Sequence, residues 1–126
     1  MNVLSQVLAG MAAAGLFSVG ILEIFFHGDR RFHRLFLIEP EDVRGVRMWA
    51  MNIGAYNISF ALGIAVGLWM INFADPNAGA AIVLFCCAAQ VFLGSWLWVT
   101  EKRLLVSAIG QASLPAMALV CYFLLR

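Results

Sequence analysis

The sequence predicts an all-α integral membrane protein, an antiparallel bundle of four transmembrane helices in one domain over residues 1–126. Of its 126 residues, 63% are hydrophobic and 12% are charged, with a mean hydropathy of +0.92. Soluble domains average about 45–50% apolar and 25% charged residues. The apolar residues form four stretches, each near the about 20 residues of helix that cross a hydrocarbon core. We therefore expect the lipid bilayer to surround the chain.

The first predicted span covers residues 3–26. No basic residue precedes it, and it ends in a charged loop instead of a small-residue cleavage site, so we expect a retained helix and not a signal peptide. Gly10, Ala14 and Ser18 recur at every fourth position, a spacing that lets helix backbones approach closely. The alternative is the ordinary abundance of small residues in membrane helices. Glu23 is expected about 5 Å inside the membrane boundary.

The second predicted span covers residues 46–73 and follows the longest polar stretch of the chain. Within that stretch, residues 32–38 mix basic and apolar side chains, which favours a segment on the membrane surface with its arginines near lipid phosphates. Pro40 with acidic residues after it predicts a helix start near Glu41, in water.

One face of the second span is small and polar, and the opposite face is apolar. The small polar face consists of Asn52, Tyr56, Ser59, Gly63 and Gly67, and the apolar face consists of Ile53, Phe60, Ile64 and Ile71. We expect the polar face to contact another helix and the apolar face to contact lipid or apolar neighbours. Gly63 and Gly67 form a G-x-x-x-G step that favours helix packing.

The third and fourth predicted spans cover residues 78–99 and 104–125. Residues 74–77 form a short turn without a basic residue before the third span. The charged connection at residues 100–103 is tight, which predicts an antiparallel pair of helices. Pro115 removes a backbone hydrogen bond inside the fourth span and is expected to kink it.

Basic residues are distributed unevenly between the connections. The first loop has five arginines and the third has Lys102 and Arg103, whereas only Arg126 is expected at the opposite side. The positive-inside tendency therefore predicts that the first and third loops are cytoplasmic and that both termini are on the non-cytoplasmic side.

Polar residues inside the spans are predicted to converge in the cytoplasmic half of the membrane. They are Glu23 in the first span, Asn52, Tyr56 and Asn57 in the second, Gln111 in the fourth and, nearer the midplane, Gln90 in the third. At 1.5 Å per residue, Asn52 lies about 9 Å deep, Tyr56 about 15 Å and Gln111 about 10 Å. These three can donate hydrogen bonds to the Glu23 carboxylate. Pairing with Arg47 and protonation of the carboxyl group are the alternatives.

Two roles suit this predicted cluster. It either fixes the packing of the helices, or it lines a small cavity, open to the cytoplasm, that recognises the polar end of a ligand. Catalysis is a third alternative without a supporting motif, because no Ser-His-Asp set, phosphate-binding glycine loop or H-E-x-x-H occurs. A net charge of +1, with no basic patch beyond the membrane flanks, argues against nucleic acid as a partner.

Cysteine and histidine patterns predict no metal and no cofactor. Cys86, Cys87 and Cys121 all lie in apolar stretches without C-x-x-C spacing, so we expect small buried apolar side chains. His27 and His33 lie in the basic loop without a third ligand at a set spacing, and we expect them at the lipid headgroups.

Three short motifs follow one another along the chain: Leu22-Glu23-Ile24-Phe25, then Asn52-Ile53-Gly54-Ala55-Tyr56-Asn57, then Gln111 with Leu114-Pro115-Ala116. In this order they resemble the small four-span bacterial membrane proteins of domain-of-unknown-function family 1304. The resemblance covers most of the chain and implies the four-span architecture and a bacterial inner membrane. It points to Glu23, Asn52, Tyr56, Asn57 and Gln111 as the shared polar residues, and it implies no reaction.

The chain departs from the family pattern at three places. Ile53 stands where the family usually has Gln, and the gap between Gln111 and Pro115 is longer than usual. No His precedes Glu23 in the first span, where relatives often have one. If that His belongs to a shared site, the site is altered in this chain.

Two functional hypotheses follow. The first is an accessory or structural subunit of a larger membrane assembly, supported by short loops and by small-residue faces that also suit a homo-oligomer. The helix-packing residues of these faces are Gly10, Ala14, Gly63 and Gly67. The second is a binder or carrier of a small lipophilic molecule. The polar group of the bound molecule would be surrounded by Glu23, Asn52, Tyr56 and Gln111.

Overall fold

Five α-helices and no strand occur in the computed structural model of the protein, which describes residues 1–125. The helices are α1 (Val3–Phe26), α2 (His33–Phe36), α3 (Val43–Phe73), α4 (Pro76–Thr100) and α5 (Leu105–Leu124). α1, α3, α4 and α5 are long and apolar enough to cross a membrane, and α2 is a single turn in the basic loop. The predicted all-α, four-span architecture is therefore confirmed.

The four long helices form a closed antiparallel ring. α3 packs against α1 and α4, and α5 packs against α4 and α1. The Asn2 side-chain amide donates to the carbonyl oxygens of Cys121 at 2.9 Å and Leu125 at 3.2 Å, which ties the two ends of the chain together. The basic loops lie at the opposite end of the bundle, called the basic end below. Arg126, the one basic residue predicted away from this end, lies outside the described residues.

Helix starts follow the local sequence signals. The Asp75 carboxylate accepts from the backbone N–H groups of Asn77 and Ala78 at 2.9 and 3.1 Å, and Pro76 occupies the first position of α4. Both features are typical of helix N-termini, because the first N–H groups have no partner within the helix. α3 begins at Val43, shortly after the predicted start.

Two exposed tryptophans on α3 mark the position of the bilayer. Trp49 and Trp69 are both exposed, and at 1.5 Å per residue they lie about 30 Å apart along the helix axis. This distance matches the thickness of a hydrocarbon core. Tryptophan prefers the membrane interface, so depth can be counted along α3 from Trp49 at the basic end.

Glycines hold the helices of the bundle at their closest approach. A Cβ atom built on Gly20 of α1 would lie 2.7 Å from the carbonyl oxygen of Gly54 of α3. A Cβ atom on Gly79 of α4 would lie 2.6 Å from the carbonyl oxygen of Gly67 of α3. Any larger residue would push these backbones apart, which is how small residues determine packing between membrane helices.

The small residues that the sequence analysis assigned to packing are placed differently on the two helices. On α1, Ala14 and Ser18 are exposed and take no part in packing within the bundle, and Gly10 makes only an ordinary contact with Leu68. The buried face of α1 consists of Ser5, Leu8, Ala9, Ala12, Leu16 and Gly20. On α3, Gly63 and Gly67 both face α4, with Cys86 and Val83 as their respective neighbours.

Candidate functional site

Glu23 of α1 and Asn57 of α3 form a polar contact between these two helices. The Asn57 side-chain amide donates to the Glu23 carboxyl oxygen Oε2 at 2.7 Å. Asn57 is only 9% exposed and Glu23 is half-buried. Because hydrocarbon offers no hydrogen-bonding partner, the contact supplies each side chain with a bond that the surrounding lipid could not provide.

The close crossing of α1 and α3 positions this pair. A Cβ atom built on Gly54 would lie 3.1 Å from the Cβ atom of Glu23, so the two residues are at the same level. Counted from Trp49, that level is about 7 to 8 Å inside the interface. Asn57 lies one turn further along α3 and about 12 Å inside. The pair therefore lies within the hydrocarbon core.

The partner of Glu23 differs from the predicted ones. Among the described residues Arg47 makes no ion pair with Glu23. The Asn52 amide donates to the carbonyl oxygen of Met48 in its own helix at 2.8 Å, and Tyr56 is 65% exposed. The prediction that Asn52 and Tyr56 turn towards Glu23 is wrong.

The rotation of α3 in the bundle explains this difference. Its buried face consists of Ala50, Gly54, Asn57, Ala61, Ile64 and Gly67. Glycine crossings with α1 and α4 fix that face inward, and Asn52 and Tyr56 point away from it. Ile64, which the sequence analysis placed on the opposite face, is fully buried.

Gln90 of α4 and Gln111 of α5 form a second polar contact. The Gln111 amide donates to the Gln90 carbonyl oxygen Oε1 at 2.8 Å. Gln90 is 0% exposed, and its own amide nitrogen has no hydrogen-bond partner within the described chain. A buried donor without a partner costs about 1–3 kcal/mol. Gln111 is thus bonded to α4 and not to Glu23, so the predicted single cluster consists of two separate pairs.

The two pairs offer little chemistry beyond helix contact. Glu23 is the only titratable side chain among the four residues, and no nucleophile is bonded to a base in either pair. No group of three or more His, Cys, Asp or Glu side chains that could hold a metal ion occurs within residues 1–125. His27 places a ring nitrogen near the backbone carbonyl oxygen of Glu23 in α1, and His33 places one near that of Ile38 in the basic loop.

Two local ion pairs occur at the basic end. The Arg31 guanidinium bonds to the Asp29 carboxylate at 2.7 Å, and the Arg103 guanidinium bonds to the Glu101 carboxylate at 2.8 Å. Hydrogen bonds from Arg31 hold the pKa of Asp29 below its usual value. Hydrogen bonds from Arg103 lower the pKa of Glu101 from 4.5 to about 2. These pairs rigidify the turns before α2 and α5.

Small residues on the outer surface form a further feature, and its two glycines were not among the predicted residues. A Cβ atom on Gly15 of α1 or on Gly110 of α5 would meet nothing within 4 Å. Ala14, Ser18 and Ser113 are also exposed. The Asn2 contacts described above fix the antiparallel register of α1 and α5, which places Gly15 and Gly110 at similar depths.

Several residues that position the polar pairs were not among the predicted ones. Gly20, Gly54 and Gly79 make the closest helix contacts, and Gly94 of α4 faces Ala108 of α5 in the same way. Their signal was present, because a glycine inside a helical stretch lowers helix propensity and usually has a packing reason.

Comparison with known proteins gives one match. A family model described as "Protein of unknown function (DUF1304)" matches residues 10–123. The match includes both polar pairs and all of the glycine crossings. No curated protein and no solved structure matches the chain.

Proposed function

The chain belongs to the DUF1304 family of proteins of unknown function, and we propose that it is an accessory or structural subunit of a larger assembly in a bacterial inner membrane. It docks there through an outer surface formed by α1 and α5. The same proposal places the basic end in the cytoplasm, in line with the positive-inside tendency.

The open glycines of the outer surface carry this proposal. A Cβ atom added at Gly15 or Gly110 would contact no other described residue, although each glycine lies within a membrane-spanning helix. Glycine in a helix is less favourable than alanine by about 1 kcal/mol. Within the described chain no packing offsets this cost. Packing against the helix of a partner would offset it, because small residues allow close approach in a membrane.

The surrounding surface supports the same role. Ala14 and Ser18 flank Gly15, and Ser113 lies one turn after Gly110, so the helix backbones are accessible over several turns. The Ser18 hydroxyl donates to the carbonyl oxygen of Ala14 at 2.9 Å, so it needs no partner from outside the bundle. Small residues at these positions let a partner helix approach closely, as in helix–helix contacts within membranes.

The closed interior of the ring favours docking over transport. Ile64, Val83, Gln90 and Pro115 are fully buried, and they come from α3, α4 and α5. The carrier hypothesis requires Glu23 and the amide side chains of other helices to surround one cavity. Instead, Glu23 is bonded to Asn57, and Gln111 is bonded to Gln90 in a separate pair.

Site-specific photo-crosslinking in native membranes tests the docking surface. A photoreactive amino acid at position 15 or 110 is expected to form an adduct with one and the same polypeptide. Position 65 on α3, where an exposed alanine faces the surroundings, is the matched control and is expected to give lipid adducts only. Lipid adducts alone at all three positions would show that this surface faces the bilayer and would refute the proposal.

A substitution provides an independent measurement. Gly15→Leu is expected to abolish the adduct from position 110 and to leave the monomer folded, because position 15 is open. Ala65→Leu is its control and is expected to leave the adduct unchanged.

A second candidate function is binding of a small lipophilic molecule at the Glu23–Asn57 pair. The half-buried state of Glu23 favours it, because part of this acidic residue is accessible from outside the bundle. Glu23→Gln is then expected to reduce the amount of a lipophile that co-purifies in mild detergent. Unchanged retention, together with unchanged thermal stability, would argue against this role.

A further inference from the structure

A groove on the outer face of α3 lies at the basic end, apart from the docking surface on α1 and α5. It has a volume of about 430 Å³ and is lined by Arg44, Arg47, Met48, Met51 and Asn52. The lining residues follow one stripe along the helix.

The two arginines of the groove have no anionic partner. Arg31 and Arg103 bond to neighbouring carboxylates, whereas Arg44 and Arg47 make no ion pair with any residue from 1 to 125. The acidic residues of the preceding turn do not line the groove. Because the planar guanidinium group matches the oxygens of a phosphate, two of them on one stripe form a site for a phosphate group.

The depth of the groove corresponds to the headgroup region of a bilayer. Counted from Trp49, Arg44 lies about 7 to 8 Å and Arg47 about 3 Å on the water side of the interface. Asn52 lies about 4 to 5 Å on the hydrocarbon side. The groove thus extends from the level of lipid phosphates to the level of the glycerol esters.

The remaining residues of the stripe suit the deeper part of a lipid. The Asn52 amide nitrogen is bonded to Met48, so its carbonyl oxygen is the atom left to accept a bond from outside. Tyr56 lies one turn deeper, and its hydroxyl has no hydrogen-bond partner in the described chain. Side chains on a helix incline towards its N-terminus, which brings this hydroxyl towards the groove. Met48 and Met51 provide flexible apolar walls.

We propose that this groove binds one phospholipid with an anionic headgroup, from the leaflet at the basic end. Arg44 and Arg47 bind the phosphate, Asn52 and Tyr56 bond to the glycerol and ester region below it, and Met48 and Met51 form the apolar walls between these two levels. Two guanidinium groups favour a lipid with a net negative charge over a zwitterionic one, whose amine would repel them. The inference does not rest on the proposed docking of α1 and α5.

Native mass spectrometry of the protein released from nanodiscs tests this site. The nanodiscs contain equal amounts of phosphatidylglycerol and phosphatidylcholine, and the wild type is expected to retain one phosphatidylglycerol. Each arginine near an anionic surface contributes a factor of about five in affinity, so the Arg44→Gln/Arg47→Gln variant is expected to lose about 30-fold in retention. Asn52→Leu leaves the charge unchanged and is expected to lose roughly two- to tenfold.

Arg30→Gln/Arg34→Gln is the matched control for charge. Both arginines are exposed at the basic end and make no ion pair within the described residues, so retention is expected to be unchanged. An equal loss in this control would mean that only the total surface charge matters, and the proposal would fail. It would also fail if Arg44→Gln/Arg47→Gln retained the lipid, if phosphatidylcholine bound as well, or if inorganic phosphate displaced the lipid.

Discussion

Gly79→Ala is expected to destabilise the bundle by separating α3 from α4. The new Cβ atom would lie 2.6 Å from the Gly67 carbonyl oxygen, 2.7 Å from the Ile71 nitrogen and 2.9 Å from the Met70 Cβ atom. Ordinary contacts of a Cβ atom begin at 3.4 Å. None of these three atoms can rotate away, because all belong to the backbone or are fixed directly to it.

The size of the effect follows from the required movement. To reach ordinary contact with the Gly67 oxygen, the helices must separate by about 0.8 Å, and a gap of 0.5–1 Å already forfeits a quarter to a half of a van der Waals contact. Overpacking of this kind costs about 1–3 kcal/mol. Alanine regains up to about 1 kcal/mol of helix propensity, so we expect the free energy of unfolding to be lowered by about 1–2 kcal/mol.

Reversible unfolding in mixed micelles, followed by circular dichroism as the denaturing detergent is raised, measures this change. Gly15→Ala is the control, because a Cβ atom at Gly15 meets nothing within 4 Å. In the monomer this control is expected to be up to about 1 kcal/mol more stable than the wild type, through its better helix propensity. Wild-type stability of Gly79→Ala, or an equal loss in Gly15→Ala, would refute the close crossing of α3 and α4.

Three further predictions concern polar contacts. A double-mutant cycle of Glu23→Ala and Asn57→Ala, read from the same unfolding assay, is expected to give a coupling energy of about 0.6–1.7 kcal/mol, and additivity would contradict the bond. Gln90→Leu is expected to change stability by less than about 2 kcal/mol, because it removes a hydrogen bond and a buried unpartnered donor together; a larger loss would contradict this balance. Since bonding to Arg103 lowers the pKa of Glu101 to about 2, its stabilising contribution is expected to be complete above about pH 4.5 and to disappear as the pH falls towards 2. Thermal melting of Glu101→Gln should therefore differ from that of the wild type at pH 7 and converge with it at low pH.

Hydropathy and loop signals were enough to predict the fold. The four spans, the turn at Asp75 and Pro76 and the gathering of basic residues at one end all follow from local features of the sequence. The spans follow from the transfer of apolar residues from water to lipid, and the helix starts follow from the residues of the first turn. Neither prediction requires knowledge of which helices touch. The prediction that both termini are on the non-cytoplasmic side remains a prediction.

The arrangement of polar residues could not be predicted in the same way. The sequence analysis took the spacing of Asn52 and Tyr56 as the sign of an inward face, whereas Asn57 faces inward. Which of the two faces turns inward depends on the rotation of α3 about its axis. That rotation is set by the contact of Gly54 with α1 and the contact of Gly67 with α4. The inward residues Ala50, Gly54, Asn57 and Ala61 do recur at helical spacing, but so do Asn52 and Tyr56, and only the contacts with α1 and α4 decide between the two faces.

Depth in the bilayer explains which polar side chains of α3 need a protein partner. Asn57 lies about 12 Å inside the interface, where hydrocarbon offers no bond, and it faces Glu23. Asn52 lies only about 4 to 5 Å inside, where lipid esters can accept or replace such bonds, and it faces outward. Tyr56 lies between them, but its long side chain inclines towards the interface. A polar residue in a span therefore indicates an inward face only where it lies too deep in the bilayer to contact the lipid headgroups. Nearer the membrane surface, a polar residue indicates contact with lipid. This is why Asn52 and Tyr56, which face outward from α3, support a lipid site.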